Sequence, residues 1–248
     1  MEKLCIENSN FLIVPSVLTA NTLLKMGVRS EKLVVIQNSA SEDFFNQENV
    51  GEQKEANKTQ FGYFGSCHPW EGTEVLLRAW SQVEADFPET ELMLIHSRNP
   101  LHLRRIKRLI SQFSLENRTK LTLIQNSQQI AQLMKSFLFT CLPLLETPRN
   151  VLQGCCPVKI IQSLACGVPV ISSDLSVVRE IIKTGENGIL SEPGDARSLA
   201  MAITKMIFDE DLRKKLSLNA FQTARDHFTP EKMGEAFMEI FRKKGLKP

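Results

Sequence analysis

Gly154 and Lys159 sit close together in the run Asn150-Val-Leu-Gln-Gly-Cys-Cys-Pro-Val-Lys159. A glycine that frees the backbone, followed by a lysine just inside a helix, makes a place for an anion. Loop N–H groups and the positive end of the helix dipole face it, and the ammonium adds a mobile charge. Phosphate is the anion such loops take. Gly154, Cys155, Cys156, Pro157, Val158 and Lys159 are therefore the expected phosphate-binding residues. On residue types alone the plainer alternative stays open, in which Gly154 is a turn residue and Lys159 a solvated charge. A second glycine-bounded stretch, Gly65-Ser-Cys-His-Pro-Trp-Glu-Gly72, puts His68 on a loop where it could approach a phosphate, though a loop histidine with no partner is ordinarily incidental. Cys155-Cys156 offers thiols, but no base stands beside them to make a nucleophile.

These residues need elements to position them. Phe137 to Leu142 has the continuous apolar character of a parallel strand covered on both faces. Pro143, Pro148 and Gly154 break the chain after it. Pro157 suits the first turn of a helix carrying Val158, Ile161, Leu164 and Ala165 on one stripe, with Gly167 as its left-handed end. Val168 to Ser172 reads as the next strand. Upstream, Thr59 to Gly65 is a strand ending on glycine, and a helix is expected from Thr73 to Phe87. Strands Glu91 to His96 and Lys120 to Gln125 alternate with helices Leu101 to Phe113 and Gln128 to Lys135. Downstream come a helix Ser176 to Thr184, a strand Gly188 to Ser191, and a helix capped by Asp195 that runs to Phe208. Helices Glu210 to Asp226 and Pro230 to Lys244 close the chain. Strict alternation predicts an α/β fold, a doubly wound parallel sheet with right-handed crossovers. Ligands of such sheets bind beyond the carboxyl ends of the strands. The loops Gly65–Gly72, Ser97–Pro100, Asn126–Gln128, Pro143–Pro157 and Ser173–Ser176 lie there.

Before this sheet, Ser9 to Ser16 reads as a short strand, Ser16 as the cap of a helix through Leu24, and Glu31 to Asn38 as another strand. Two strands and a helix cannot bury a sheet of their own. Ser41 to Lys58 is polar and turn-rich, as a linker is.

The balance of 30 basic against 28 acidic residues argues against nucleic acid as a partner. Six cysteines and four histidines show neither Cys-x-x-Cys nor paired-histidine spacing, so no metal site and no disulfide framework is expected. No apolar run reaches the length of a bilayer span and no signal-peptide pattern opens the chain, which points to the cytoplasm. The basic clusters Arg104–Arg108 and Arg242–Lys244 on amphipathic helices read as solvated faces, with peripheral membrane contact left open.

Pro157-Val-Lys-Ile-Ile-Gln-Ser-Leu-Ala-Cys-Gly-Val-Pro-Val-Ile-Ser-Ser-Asp-Leu-Ser-Val-Val-Arg-Glu180, with Gly185-Glu-Asn-Gly188 after it, resembles the donor-binding core of the family 4 (group 1) retaining glycosyltransferases of GT-B fold. The resemblance extends to Val14-Pro-Ser16, Gly27-Val28 and the Ile36-x-Asn38 turn, which match the end of that family's N-terminal, acceptor-binding domain. It implies a remnant of that domain at 1–40, a linker at 41–58, a nucleotide-sugar-binding domain at 59–228, and a last helix at 229–248 packing back toward the N-terminal side. It also implies that most of the acceptor domain is missing, as in a truncated gene or an internal start.

The function implied is transfer of a hexose, with retention, from a nucleotide diphosphate sugar (UDP or GDP the expected nucleotide) to a hydroxyl acceptor, saccharide or lipid-linked, with no cofactor and no bound metal. The family holds the diphosphate with an arginine and a lysine whose positions here are Ser66 and Glu71, beside Gly65. Glu71 would repel the donor unless it turns away or accepts from donor hydroxyls. The family's paired glutamates fall on Gly154 and Gln162. Gln162 can still hydrogen-bond a ribose diol, and Asn150 opens the donor loop. These departures support a rival reading, a non-catalytic nucleotide-binding or interaction module descended from a glycosyltransferase.

Overall fold

The structure, a computed structural model, describes residues 6, 8–45, 59–96, 99–243 and 245. Most of the expected linker, the Ser97-Arg98 part of one rim loop, Cys5 and Lys244 lie outside the described residues. Among the described residues, eight strands are arranged as a two-stranded parallel pair and a six-stranded parallel sheet. The pair joins β1 (Leu12–Val14) to β2 (Leu33–Val35) across helix α1 (Val17–Lys25). Ser16 caps α1 as expected, its Oγ accepting from Thr19 N at 3.1 Å.

The large sheet contains β3 (Gln60–Gly65), β4 (Glu91–His96), β5 (Thr119–Leu123), β6 (Phe137–Leu142), β7 (Val170–Ser173) and β8 (Gly188–Ser191), in the order β5-β4-β3-β6-β7-β8. That order reverses direction between β3 and β6, which makes their carboxyl ends the topological switch point. β6 is buried at every position, in keeping with its unbroken apolar run. The longer helices that follow α1 are α2 (Thr73–Trp80), α3 (Pro100–Gln112), α4 (Ser127–Met134), α5 (Val158–Ala165), α6 (Ala196–Phe208), α7 (Glu210–His227) and α8 (Pro230–Lys243). On one face α2 packs against α3 and α6; on the other α5 packs against α7. Thr140 Oγ1 on β6 donates to Ser163 Oγ on α5 at 2.9 Å, pinning the helix above its strand.

Two helices are shorter than their sequence patterns predict. The helix expected from Thr73 to Phe87 ends at Trp80 and closes through a 3-10 turn at Glu84–Asp86. Arg118 holds the segment beyond it: its guanidinium donates to the carbonyls of Glu84 (3.1 Å), Phe87 (2.5 Å) and Pro88 (2.6 Å). The helix expected from Ser176 to Thr184 is a single turn, Ser176–Arg179. There the buried Asn187 accepts from Lys183 N at 2.9 Å and donates to Ile181 O at 3.0 Å, holding the chain in a loop. α5 buries more than the expected stripe: Ile160 and Ile161 are both fully buried and Val158 only half so, because the helix is covered by the sheet and by α7.

Candidate donor site at the switch point

Two loops meet at the carboxyl ends of β3 and β6. The first turns at Gly72, whose φ of +71° favours glycine and whose Cβ, if it had one, would stand 1.8 Å from the Pro143 carbonyl oxygen. The second runs from Pro143 through a short π-helical turn, Arg149–Gln153, to α5. Asn150 is fully buried in it; its Nδ2 donates to Leu145 O (2.8 Å) and Trp70 O (3.3 Å), tying the two loops together. Between them lies a pocket of about 210 Å³, lined by Tyr63, Glu71, Arg149, Cys155, Cys156 and Lys159 among others.

The charge at its head differs from the expectation of a free lysine beside an intruding acid. Glu71 is buried, 7% exposed, and its carboxylate pairs with the Lys159 ammonium. The same carboxylate accepts from Tyr63 OH (2.8 Å), from His68 N (3.0 Å) and from Ser66 Oγ (3.2 Å). Burial alone would raise the Glu71 pKa, but the Lys159 charge and these donors outweigh it and hold the carboxyl below its ordinary value. Tyr63 moves the other way, pushed well up by burial and by the neighbouring carboxylate, so its phenol keeps its proton and goes on donating. Gly65 is what lets Lys159 come this close, since a Cβ there would lie 2.7 Å from Nζ. Glu71 thus turns to a protein cation, and Lys159 is pinned rather than mobile.

The remaining expected residues distribute as follows. Gly65, Ser66, Glu71 and Lys159 come together at the pocket head. Cys155, Cys156, Pro157 and Val158 form its wall, where Val158 N is taken by the Cys156 carbonyl at 2.9 Å. Burial pushes the Cys156 thiol up to about 11 and raises Cys155 as well, so both are protonated near neutrality. Gln162 is half-buried one turn along α5, away from the pocket lining. Gly154 faces the other way: at φ +78°, a Cβ on it would meet Thr19 Oγ1 at 2.5 Å and Thr19 N at 2.8 Å, so the N-terminus of α1 occupies that side of the loop. His68 stacks on Trp70 (4.0 Å, 10°) and meets His102 edge-on (4.3 Å, 71°), while His102 Nδ1 donates to Ser66 O at 2.7 Å. Burial and the nearby His102 lower the His68 pKa, so it is neutral near pH 7. Among the described residues no group of three or more His, Cys, Asp and Glu is placed to hold a metal ion, and no helix is long and apolar enough to cross a membrane.

Sequence reasoning passed over two contacts. Glu180, at the end of the Ser176–Arg179 turn after β7, accepts from Val17 N (3.0 Å) and Leu18 N (3.2 Å) and so caps α1. Arg149 lines the pocket within the loop named for its glycine and lysine. A residue count along one segment could reveal neither, because each contact joins positions far apart in the chain.

The profile of the family described as glycosyl transferases group 1 matches residues 45–223. An uncharacterized glycosyltransferase of Methanocaldococcus jannaschii is 22% identical over 247 residues, which is 97% of this chain and 60% of that protein. The lipopolysaccharide core biosynthesis glycosyltransferase LpsE of Rhizobium meliloti is 31% identical over 85 residues, 34% of this chain and 25% of LpsE. Among solved structures, Anabaena HepE in complex with UDP and glucose has a TM-score of 0.81 at 22% identity, over 97% of this chain and 65% of that one. The C-terminal domain of the group 1 glycosyl transferase LpcC from Francisella tularensis has a TM-score of 0.63 at 21% identity, over 76% of this chain and 97% of that domain. At such identities the structural likeness speaks for the GT-B fold. The chain spans about three fifths of the Methanocaldococcus relative and 65% of HepE.

Proposed function

The chain belongs to the glycosyl transferases group 1 family, and on that premise we propose that it supplies the donor side of a retaining hexosyl transfer from a nucleotide diphosphate sugar to a hydroxyl. The observation that carries this is the pocket between the ends of β3 and β6, at the switch point, walled by the loop that leads into α5. A departing diphosphate needs its growing negative charge met by dipoles and cations fixed in advance. The loop backbone ahead of α5 and a basic side chain lining the pocket would meet that charge. UDP or GDP is the nucleotide we expect, since HepE is a UDP-binding protein of the same fold. Residues 59–228 would form the donor domain, with 1–40 as the edge of the acceptor domain, and the protein would work in the cytoplasm.

A thermal-shift series with UDP-, GDP- and ADP-sugars tests the reading. Ligand at a hundred times its Kd adds about 2.7 kcal/mol to stability, so one donor class should raise Tm clearly. A folded chain that no nucleotide stabilises would end it. Transfer is a separate question, because holding an acceptor in near-attack geometry supplies on the order of 7–11 kcal/mol of the barrier. A radiolabelled-donor assay on this chain, and on a fusion to a related acceptor domain, measures it.

One observation favours a second reading, a binding module without transfer. Glu71 neutralises Lys159, and Ser66, Gly154 and Gln162 carry none of the charges the family places there. Donor binding with no transfer in the fusion would select it.

A further inference from the structure

We propose that Arg149 is the cation that takes the donor's diphosphate in this chain, in place of the arginine and lysine replaced by Ser66 and Glu71. The inference rests on the nucleotide-sugar reading and deepens it. Three pocket-lining side chains carry charge, Glu71, Lys159 and Arg149, and the first two cancel within their own ion pair. Arg149 has no such partner: among the described residues no carboxylate pairs with it. An anion entering the pocket therefore meets one uncompensated positive charge, and it is this one.

The guanidinium is also held ready. Its Nη1 donates to Asn150 Oδ1 at 2.8 Å, and Asn150 is itself locked by the carbonyls of Trp70 and Leu145. It lies over the Trp70 ring, 5.8 Å from the centroid, and Trp70 is backed by the stacked His68. An arginine hydrogen-bonded to a buried amide, with a ring beneath it, keeps further N–H groups for a ligand, and its fork suits two phosphate oxygens at once. Its charge reaches the pocket wall, where it works against burial on the Cys155 thiol. Besides tying the two loops together, Trp70 and Asn150 form the platform that aims Arg149.

Isothermal titration of the full chain with UDP, GDP and uridine, for the wild type, Arg149→Ala, Arg149→Lys and Trp70→Leu, tests this. Arg149→Ala is expected to weaken binding of the preferred diphosphate by about tenfold to a hundredfold, the worth of a charge-assisted pair of hydrogen bonds. Binding of uridine, where UDP is preferred, should change less than about twofold, and the salt dependence of diphosphate binding should flatten. Arg149→Lys should recover part of the loss, and Trp70→Leu should show a smaller loss of the same kind. Undiminished diphosphate affinity in Arg149→Ala would overturn the assignment while leaving the nucleotide-sugar reading in place. So would an equal loss for uridine and UDP, which marks a structural role. Failure of the wild type to bind any of the three would overturn that reading and this assignment with it.

Discussion

Glu71 and Lys159, 88 positions apart in the chain, share one ion pair at the head of the switch-point pocket. The acid comes from the loop after β3 and the lysine from the first turn of α5, so the pair joins the two halves of the doubly wound sheet where they diverge. Tyr63, Ser66 and the His68 amide saturate the carboxylate from below. A group so fully engaged is both a structural clamp and a competitor for the cation that a phosphate would want.

Replacing Lys159 with Ala should cost stability as well as charge. Glu71 would be left buried against a phenol and an amide with no counter-ion. The loss should be about 3 kcal/mol, the low end for breaking a buried pair, since the Lys159 side chain is 33% exposed. Urea denaturation measures it; a loss below about 1 kcal/mol would mean the pair behaves as a surface bridge.

Glu71→Gln should have the opposite effect on ligand. The amide can still accept from Tyr63 and His68, but it no longer claims the Lys159 charge. UDP or GDP affinity should rise severalfold, most visibly at low salt. Unchanged or weaker affinity would show that Glu71 is not in competition with the donor.

The pair also sets an acid limit on stability. Because the folded Glu71 carboxyl titrates below its ordinary value of 4.5, the unfolded chain takes the proton first as pH falls. The stabilisation is therefore complete above that ordinary value and is lost as pH drops through the folded one. The Tm difference between wild type and Glu71→Gln should be constant from pH 7 to about 5 and shrink below about 4.5. A difference that grows on acidification would contradict the sign.

Gly154 is expected to tolerate no side chain. A backbone at φ +78° and ψ 160° is essentially restricted to glycine and costs another residue about 1–3 kcal/mol, and the added Cβ would run into Thr19 Oγ1 at 2.5 Å and its amide at 2.8 Å. Gly154→Ala should lower Tm and raise amide exchange in α1. Gly154→Glu, which restores the carboxylate of the resembled family, should do so more strongly. A stable variant with α1 still protected would show that the loop can shift as a unit.

Glu180 should hold α1 from the other side. Glu180→Ala removes the acceptor for Val17 N and Leu18 N, worth about 1 kcal/mol as a cap. Hydrogen exchange at those two amides should quicken while β6 and α5 stay protected. Unaltered exchange would mean that Ser16 alone suffices.

Much of this protein can be read along the chain because the relevant forces are local. The apolar run Phe137–Leu142, the Asp195 cap and the alternation from Gln60 to Ser191 place the strands of the large sheet within about two residues and each helix start as closely, since hydrophobic period, caps and turn residues act over a few positions. The parallel order and the switch point follow from that alternation and the right-handed crossover. The residue types around Gly154 and Lys159 suffice to mark a loop worth searching. What they leave open is which charge faces which. Glu71 meets Lys159, Gly154 meets Thr19, and Glu180 meets the amides of Val17 and Leu18, all across long separations in sequence. The helix begun at Ser176 ended early for the same reason: Asn187 claims the Lys183 amide that local propensity had assigned to a longer helix. Whether a lysine is a free phosphate ligand or half of a buried pair depends on what the fold brings within hydrogen-bonding distance, and electrostatics at that range are decided by the tertiary structure alone.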